Sequence, residues 1–493
     1  MAGKETAVTE YMQLLMELAD YLKSQDGLIP GKKQLTGYIE KLSEKSVDLN
    51  VFDKTQQLCD DTRQLCSETQ QLFNRAQYLK NVRFYFPTAN YQKRERYKAH
   101  ILIISHEMGR SGAPVVLMDA VRILKDEGYF VYVVSPMDGP LCLEMNKEGI
   151  PVMVDFSLLN GRCEPDEIRS VNPYQNWVTD LFVKSFDMTI CNTAVLHNVV
   201  ERYMHYGKPL LWWMHEGNMS FASFGHYLPG KLPENVKVAY VCDYVREQAE
   251  LYKIHYPGTV LHYGVSEEIA EEKTVAGDKV GNDEACGNIK NDNRTIYIIV
   301  GAIDKRKGQD LLLDAILNLP EDYLNKAEFW FVGHAIDKDL YNRIEMLSEG
   351  MEQIKLWRSM PREQLLKLYQ ECDCIICCSR DDPLPVVVTE AMILKKVSIC
   401  SEHTGTAAYL EDGVNGFVCK NEDVDDLEKK ICEVMDQKAH LSDIAEKAYD
   451  LYKTHFTMDI FQKNLLELVG DIFNSDDNSD ENSNSVDLAG DNI

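Results

Sequence analysis

Short apolar runs alternate with amphipathic helical segments twice along this chain, and this alternation constrains the fold more than any other feature. The first series begins with an apolar run at 100–105, followed by a helical pattern at 113–127. The second begins with a run at 295–300, followed by a helical pattern at 309–317. Strands without a polar face belong to parallel sheets covered by helices on both sides. The sequence therefore predicts an α/β protein with two doubly wound, Rossmann-like domains facing a central cleft, where ligands of such sheets bind.

Changes in composition suggest where the domains begin and end. A stretch rich in Gly, Asn and Asp at 277–294 separates the two series, as linkers and exposed insertions do. The last residues are rich in Asn, Asp and Ser, which predicts disorder. The expected organisation is a helical extension (1–97), a first Rossmann-like domain (98–265), a linker or exposed insertion (266–294), a second Rossmann-like domain (295–455), a closing helix (456–473) and a disordered acidic tail (474–493).

The first 97 residues have helical periodicity. Apolar side chains recur every seven residues at Val51, Leu58, Leu65, Leu72 and Leu79. Such a stripe on a helix has to be covered, but Thr62, Thr69 and Ala76 are weak at the second core position of the repeat, so a free-standing coiled coil is not favoured. Packing within a helical hairpin or onto the next domain is the favoured interpretation. Self-association or binding of a partner protein is the alternative.

The charge and the cysteines restrict the class of protein. A formal net charge of −27 argues against a protein that binds nucleic acid through its phosphates. The first ten residues lack the pattern of a signal peptide, and the sequence has no apolar run of about 18 residues, so we expect neither secretion nor a membrane span. Fourteen cysteines in such a chain are typical of the reducing cytoplasm, which is the expected location.

Two short patterns have the spacing of metal sites but favour structural roles. Cys374 and Cys377 form a C-x-x-C within an apolar run, where cysteine is typical of a buried strand. Asp423 and Asp425 precede a helical pattern and are typical of helix caps. We therefore expect no metal ion and no cofactor.

Two loops have the composition of phosphate-binding segments. The loop at 105–114 contains Gly109 and Gly112 and leads into a helix, whose first amides can face an anion; a tight structural turn is the alternative. In the segment 379–392, Asp382 lies in a loop, Pro385 at the expected helix start and Glu390 within the helix. Two such carboxylates can face a polyhydroxylated ligand while the helix N-terminus between them faces a diphosphate.

These segments, within residues 98–470, resemble the family-4 retaining glycosyltransferases, which have the GT-B fold. The resemblance is carried, in chain order, by the loop 109–114, by Trp212-Trp-Met-His215-Glu216, by Val300-Gly-Ala-Ile-Asp-Lys-Arg-Lys-Gly308, by the Glu-x7-Glu-like stretch from Asp382 to Glu390, and by His403 to Gly416, which is similar to the family's G-G-x-x-E-x-I-x-D-G-x-N-G. Five segments in the family's order make the resemblance specific.

The resemblance implies transfer of a sugar, with retention, from a UDP- or GDP-linked donor to a glycan, lipid-linked or protein acceptor, as in polysaccharide biosynthesis. Glu390 would bind the donor ribose, and Asp382 would lie near the transferred sugar. Lys307 would neutralise the diphosphate, and His215 would lie near the reacting sugar. The resemblance makes 98–265 the acceptor-side domain and 295–455 the nucleotide-sugar-binding domain. Five further positions would bind the donor: Arg306 through its charge, and Gly112, Leu384, Pro385 and Val386 through backbone amides.

Three positions depart from the family pattern. Ala302 replaces a basic residue, so Lys305 or Arg306 would have to supply that charge. Asp382 shortens the first glutamate of the motif, and Ala408 replaces a third carboxylate. An alternative interpretation is therefore a weakly active or inactive GT-B subunit that binds acceptor or stabilises another transferase.

Two questions remain open at this stage, namely the type of reaction and the role of an aromatic pair. A sugar-nucleotide epimerase or a phosphorylase is a third interpretation, because a fold by itself does not fix the reaction. Trp212 and Trp213 are adjacent aromatic residues that can stack on sugar rings, but a place in the buried core is the favoured interpretation.

Overall fold

A computed structural model describes residues 82–85, 97–155, 158, 180–271 and 294–483. Its first sheet has eight strands, numbered β1 to β8 along the chain: Val82–Tyr85, His100–Ser105, Phe130–Ser135, Val152–Asp155, Met188–Asn192, Leu210–Met214, Val236–Tyr240 and Gly258–Val260. Their order in the sheet is β1-β4-β3-β2-β5-β6-β7-β8. β2 pairs in parallel with both β3 and β5, whereas β1 pairs antiparallel with β4. The strand order therefore changes direction between β2 and β5.

The second sheet has six strands, numbered β9 to β14 along the chain: Thr295–Val300, Ala327–Val332, Ile354–Trp357, Cys374–Cys377, Val397–Ser401 and Phe417–Cys419. Their order in the sheet is β11-β10-β9-β12-β13-β14. Every neighbouring pair is parallel. The strands β9, β10 and β11 follow one another toward one edge of the sheet, and β12, β13 and β14 follow one another toward the opposite edge. The loops that follow β9 and β12 consequently diverge at a switch point, where open α/β sheets bind ligands.

Helices connect the strands in both sheets, as the alternating pattern predicts. Between β2 and β9 they span Gly112–Asp126, Pro140–Lys147, Asp180–Lys184, His197–Tyr203, Asn218–Phe224, Asp243–Leu251 and Glu268–Glu271. After β9 they span Gln309–Asn318, Glu321–Leu324, Lys338–Gly350, Arg362–Glu371, Val386–Ile393, Val424–Asp436, Leu441–His455 and Met458–Ser483. Short 3-10 turns include those at Lys305–Lys307 and Gly405–Tyr409.

The second sheet is built around an aromatic and aliphatic core. Tyr297 on β9 stacks on Phe329 on β10 with ring centroids 5.1 Å apart, and its hydroxyl donates to the carbonyl of Ile431 at 2.7 Å. Both rings are at most 1% exposed, so each stabilises the fold by roughly 2–3 kcal/mol through burial. All four residues of the strand Cys374–Cys377 are buried, which confirms the strand predicted for this C-x-x-C.

The chain divides into two compact units, residues 1–212 with 231–237, and residues 213–230 with 238–493. The division falls within β6 and β7. Among the described residues, no helix combines the length and the apolar character that a membrane crossing requires. The heptad positions from Val51 to Leu79 and most of the predicted linker, 272–293, lie outside the described residues.

Two predictions about local structure were wrong. The helical extension was expected to reach residue 97, but Val82–Tyr85 is a strand paired with β4; its valine and aromatic residues favour strands. The tail was expected to be disordered from residue 474, but the last helix continues to Ser483. Residues 474–483 contain neither proline nor glycine, the two residues that disfavour a helix most, so a helix nucleated by residues 458–473 can extend through them.

Candidate functional site

The loop after β9 brings a lysine to the switch point of the second sheet. The side chain of Asp304 accepts from the backbone amide of Lys307 at 3.0 Å, which caps the 3-10 turn Lys305–Lys307. Gly308 follows with a φ of +77°, and a Cβ there would lie 2.1 Å from the carbonyl oxygen of Cys378. Only glycine fits this position. The turn is therefore held tightly against the end of β12, with Lys307 as its last residue.

Lys307 forms an ion pair with Asp382 in the loop after β12. The Lys307 Nζ lies 2.5 Å from Asp382 Oδ2, and the two side chains are 23% and 11% exposed. Burial lowers the pKa of the Lys307 ammonium, but the Asp382 carboxylate outweighs that effect and raises the pKa above its ordinary value. The structure thus brings together two of the predicted catalytic residues as a charged pair with limited access to water.

Backbone hydrogen bonds fix the position of Asp382 from two sides. Its amide donates to the carbonyl of His403 at 3.2 Å, and its carbonyl accepts from the amide of Gly405 at 2.9 Å. On the other side, Arg306 Nη1 donates to the carbonyl of Asp381 at 3.0 Å, and the Arg380 amide donates to the carbonyl of Arg306 at 2.8 Å. Three loops at the carboxyl edge of the second sheet are therefore bonded to one another.

The helix after this loop spans Val386–Ile393, with Pro385 as its N-cap. Pro385 was predicted as the first helical residue and as an amide donor to the ligand. It lies one position earlier and has no N–H, so the second expectation is wrong on chemical grounds. The first amides of a helix have no acceptor within it, which leaves Val386 and Val387 as donors suited to an anion. The carbonyl of Leu384 accepts from the hydroxyl of Tyr263.

Glu390 is buried in this helix and its carboxylate has two partners that the sequence did not reveal. Arg362 Nη2 lies 2.8 Å from Oε1, and the Tyr369 hydroxyl donates to Oε2 at 3.2 Å. Glu390 is 3% exposed, whereas the Arg362 side chain is 49% exposed. Burial and the negative charge of Glu390 raise the pKa of Tyr369 well above its ordinary value, so this hydroxyl stays protonated and remains a donor.

The positions that depart from the family pattern have identifiable surroundings. The carbonyl of Ala302 accepts from Gln309 Nε2 at 3.0 Å, and Ala408 is exposed in the 3-10 turn Gly405–Tyr409. Of the two basic side chains proposed to compensate for Ala302, Arg306 contacts the loop that contains Asp382. Lys305 is exposed, and its carbonyl accepts from Arg380.

His215 follows directly after β6. Its ring lies 4.6 Å from that of Trp213, and its amide donates to the Glu216 carboxylate at 2.9 Å. Trp212 and Trp213 are at most 1% exposed, so the prediction that they belong to the core is confirmed.

Gly112 belongs to the first compact unit, where it begins the helix Gly112–Asp126 at the switch point of the first sheet. A Cβ added there meets nothing within 4 Å. The first amides of this helix are suited to an anion, and donor binding at Gly112 stays a prediction.

Of the two aspartates predicted as caps, Asp423 has that role, whereas Asp425 lies in the first turn of the helix. Asp423 accepts from the amide of Asp426 at 2.9 Å and begins the helix Val424–Asp436. Within the part of the chain that the structure describes, no group of three or more His, Cys, Asp or Glu side chains could hold a metal ion.

A half-buried histidine network lies beside the turn Gly405–Tyr409. His262 Nε2 is 2.5 Å from the Tyr409 hydroxyl, which donates to Asp243 at 3.3 Å. Burial, with a smaller contribution from His455, lowers the pKa of His262 to about 4, although Asp243 opposes the shift. His262 is therefore neutral in the folded protein at any pH near 7.

This histidine should make the fold sensitive to acid. Between pH 6.5 and pH 4 the unfolded chain protonates at His262 while the folded chain does not, so protons favour unfolding as the pH falls. We expect His262 to remove about 2–3 kcal/mol from the free energy of unfolding over that range. Urea unfolding of wild type and His262→Gln at several pH values checks this. Identical pH profiles for the two proteins would contradict it.

Comparison with known families divides the chain at nearly the same place as the sequence pattern. Residues 98–280 match the model described as glycosyl-transferase family 4, and residues 284–451 match the one described as glycosyl transferases group 1. A curated relative, the uncharacterized glycosyltransferase MJ1178 of Methanocaldococcus jannaschii, is 25% identical over 158 residues. The aligned stretch covers 32% of this chain and 42% of that relative, so the chain spans less than half the length of the relative it matches.

Solved structures with the same fold include the Anabaena protein HepE (Alr3699) in complex with UDP-glucose, at 17% identity and a TM-score of 0.58. That match covers 76% of this chain and all of HepE. A glycosyltransferase from Rickettsia africae matches at 18% identity and a TM-score of 0.59, covering 76% of this chain and 99% of the other. At these identities the similarity establishes the fold. Because family models match both Rossmann-like halves, the chain belongs to the group 1 glycosyltransferases and has the GT-B fold.

Proposed function

We propose that the protein is a retaining glycosyltransferase that moves a sugar from a UDP-linked donor to a hydroxyl of a glycan, lipid-linked or protein acceptor. The observation that carries the proposal is the Lys307–Asp382 pair at 2.5 Å, held where the strand order of the second sheet changes direction. UDP is preferred over GDP because the Anabaena relative of the same fold was solved with UDP-glucose. GDP-linked sugars remain the alternative for the test.

Each residue has a role in this reaction that its surroundings support. Lys307 is cationic in the folded protein and can neutralise the diphosphate as it leaves. The amides of Val386 and Val387 at the helix N-terminus can donate to phosphate or sugar oxygens. Glu390, held by Arg362 and Tyr369, would accept from the two ribose hydroxyls. Arg306 would supply the second positive charge, in place of the residue missing at Ala302.

Retention would follow from attack on the face that the diphosphate leaves. The bond between the sugar C1 and the diphosphate oxygen breaks, and a bond between C1 and the acceptor oxygen forms on the same side. The acceptor proton passes to the departing diphosphate oxygen, so no enzyme base is consumed. Asp382 and His215 would lie near the transferred sugar, where a carboxylate stabilises positive charge that develops at C1.

The departures at Ala302 and Ala408 support a second candidate, a weakly active or inactive subunit that binds acceptor or stabilises another transferase. Both positions lack the charged group that the family pattern carries. Such a subunit would keep the fold and could keep donor binding, but it would transfer no sugar.

A donor screen separates these functions. Unfolding midpoints of the full chain would be measured with UDP, GDP and their glucose, galactose, N-acetylglucosamine and mannose derivatives, since a ligand that binds the folded state raises the midpoint. We expect a shift with UDP-sugars and slow release of UDP, with product whose anomeric configuration by NMR matches that of the donor. Binding without release or transfer would favour the inactive subunit. No shift with any nucleotide sugar would rule out the proposed function.

A further inference from the structure

Asp381 is a buried carboxylate that the proposed chemistry leaves without a role. It lies next to Asp382 in the loop after β12 and is 3% exposed. Its Oδ1 accepts from the amide of Asn218 at 3.1 Å and from the hydroxyl of Tyr244 at 2.9 Å. Its Oδ2 accepts from the amide of Met219 at 2.8 Å. Both oxygens are therefore used, and all of these residues belong to the second compact unit.

Asp381 accepts hydrogen bonds from the first backbone amides of a helix that has no capping side chain of its own. The helix Asn218–Phe224 has Gly217 at its N-cap position, and no side chain there can bond to the first amides. Ser, Thr, Asp or Asn usually fills that position. Asp381 supplies the missing carboxylate from a residue 163 positions away in sequence.

Gly217 is required because Asp381 occupies the space of its side chain. A Cβ on Gly217 would lie 1.9 Å from Asp381 Oδ1 and 2.6 Å from its Cγ. The φ of Gly217 is −97°, so the constraint comes from the close approach and not from the backbone conformation. The glycine and the aspartate therefore fit only as a pair.

The two segments joined by this contact are those that bear proposed site residues. His215 lies two residues before Gly217, and Asp382 directly follows Asp381. Two further hydrogen bonds join the same loop to the segments after β7 and β8, from Cys242 Sγ to the carbonyl of Pro383 at 2.8 Å and from the Tyr263 hydroxyl to the carbonyl of Leu384. The loop with Asp382 is thus bonded to the segments that follow β6, β7 and β8, and Asp381 makes the contact with the first of them.

We infer that Asp381 is a positioning residue, which holds the segment bearing His215 against the loop bearing Asp382 so that both reach the transferred sugar. The inference rests on the proposed function. Asp381 does not touch the donor in this role, and its loss should loosen the geometry of transfer while leaving the phosphate and ribose contacts in place.

Steady-state kinetics test the role in catalysis. Asp381→Ala should lower kcat roughly 10-fold, the result of about 1.4 kcal/mol of lost positioning, with little change in the KM for the donor. Tyr244→Phe, which removes one of the three hydrogen bonds, should lower kcat less. Asp381→Asn should restore part of the activity, because its amide oxygen can still accept from one backbone amide. Glu422→Ala, which removes an exposed partner of the neighbouring Arg380, is the control and should leave kcat unchanged.

A stability cycle tests the contact without using activity. Gly217→Ala should lower the unfolding midpoint in wild type because of the clash, but should have little further effect in the Asp381→Ala background, where the clash is removed. Additive effects, or an unchanged kcat in Asp381→Ala, would overturn the inference. A wild type that binds no donor would reject the proposed function instead, and the cycle would still show whether Asp381 and Gly217 act as a pair.

Discussion

Replacing Lys307 by methionine is expected to lower kcat by about 100- to 1000-fold, the usual cost of removing one group that stabilises developing negative charge. Methionine keeps most of the length of the side chain but removes the ammonium that pairs with Asp382 at 2.5 Å. The KM for the donor should change less than kcat, because the diphosphate gains a further negative charge as the sugar leaves and Lys307 stabilises that added charge only in the transition state. Single-turnover measurements with saturating donor check this.

The same variant should also be less stable, and a second substitution separates the two effects. Asp382 is 11% exposed in its side chain, so losing its cation should cost about 1–3 kcal/mol. Adding Asp382→Asn removes the unpaired charge and should recover stability without recovering kcat. Lys338→Met, at an exposed position, is the matched control. Recovery of kcat in the double variant would show that Lys307 acts through the fold and not on the diphosphate.

The pattern of strands and helices could be predicted because the hydrophobic periodicity of each element lies in consecutive residues. The runs at 100–105 and 295–300 are strands with the predicted bounds. The short strands Ile354–Trp357 and Phe417–Cys419 were missed, because three or four residues carry too little periodicity to distinguish a strand from a loop. They lie at the two edges of the second sheet, so missing them did not displace the central strands or the switch point.

The candidate site could be predicted only in part, for a related reason. Lys307, Asp382 and Glu390 stand in local motifs, so the sequence could assign them roles. Arg362 and Tyr369 are not in any motif, and their pairing with Glu390 depends on how a preceding helix packs. Side-chain partners chosen by tertiary packing leave no periodic signal in one sequence.

The shortened carboxylate at Asp382 illustrates how the two kinds of information combine. From the motif alone, losing a methylene relative to glutamate suggests that the carboxylate falls short of its partners. In the structure the Lys307 ammonium reaches it at 2.5 Å, because Gly308 brings the 3-10 turn close to the end of β12. The substitution therefore does not by itself argue for an inactive subunit.

Glu390→Gln is expected to weaken donor binding by about 10- to 100-fold, because a charged acceptor contributes about 1.5–3 kcal/mol through its hydrogen bonds. The effect should appear in the dissociation constant of UDP as well as in the KM for the donor, with kcat little changed. Ribose binding is the same in the ground state and the transition state, so its loss is a uniform binding effect. This pattern is the opposite of the one expected for Lys307→Met.

The contacts of Glu390 with Arg362 and Tyr369 allow a second variant to show which side chain contacts the nucleotide. Glutamine can still accept from the Tyr369 hydroxyl but loses the ion pair with Arg362. If Glu390 binds ribose, Arg362→Ala should cost less affinity than Glu390→Gln, because it leaves the carboxylate in place. If the guanidinium is what the nucleotide contacts, Arg362→Ala should cost as much or more. Glu363→Gln, exposed on the same helix as Arg362, is the control for both, and isothermal titration with UDP decides between them.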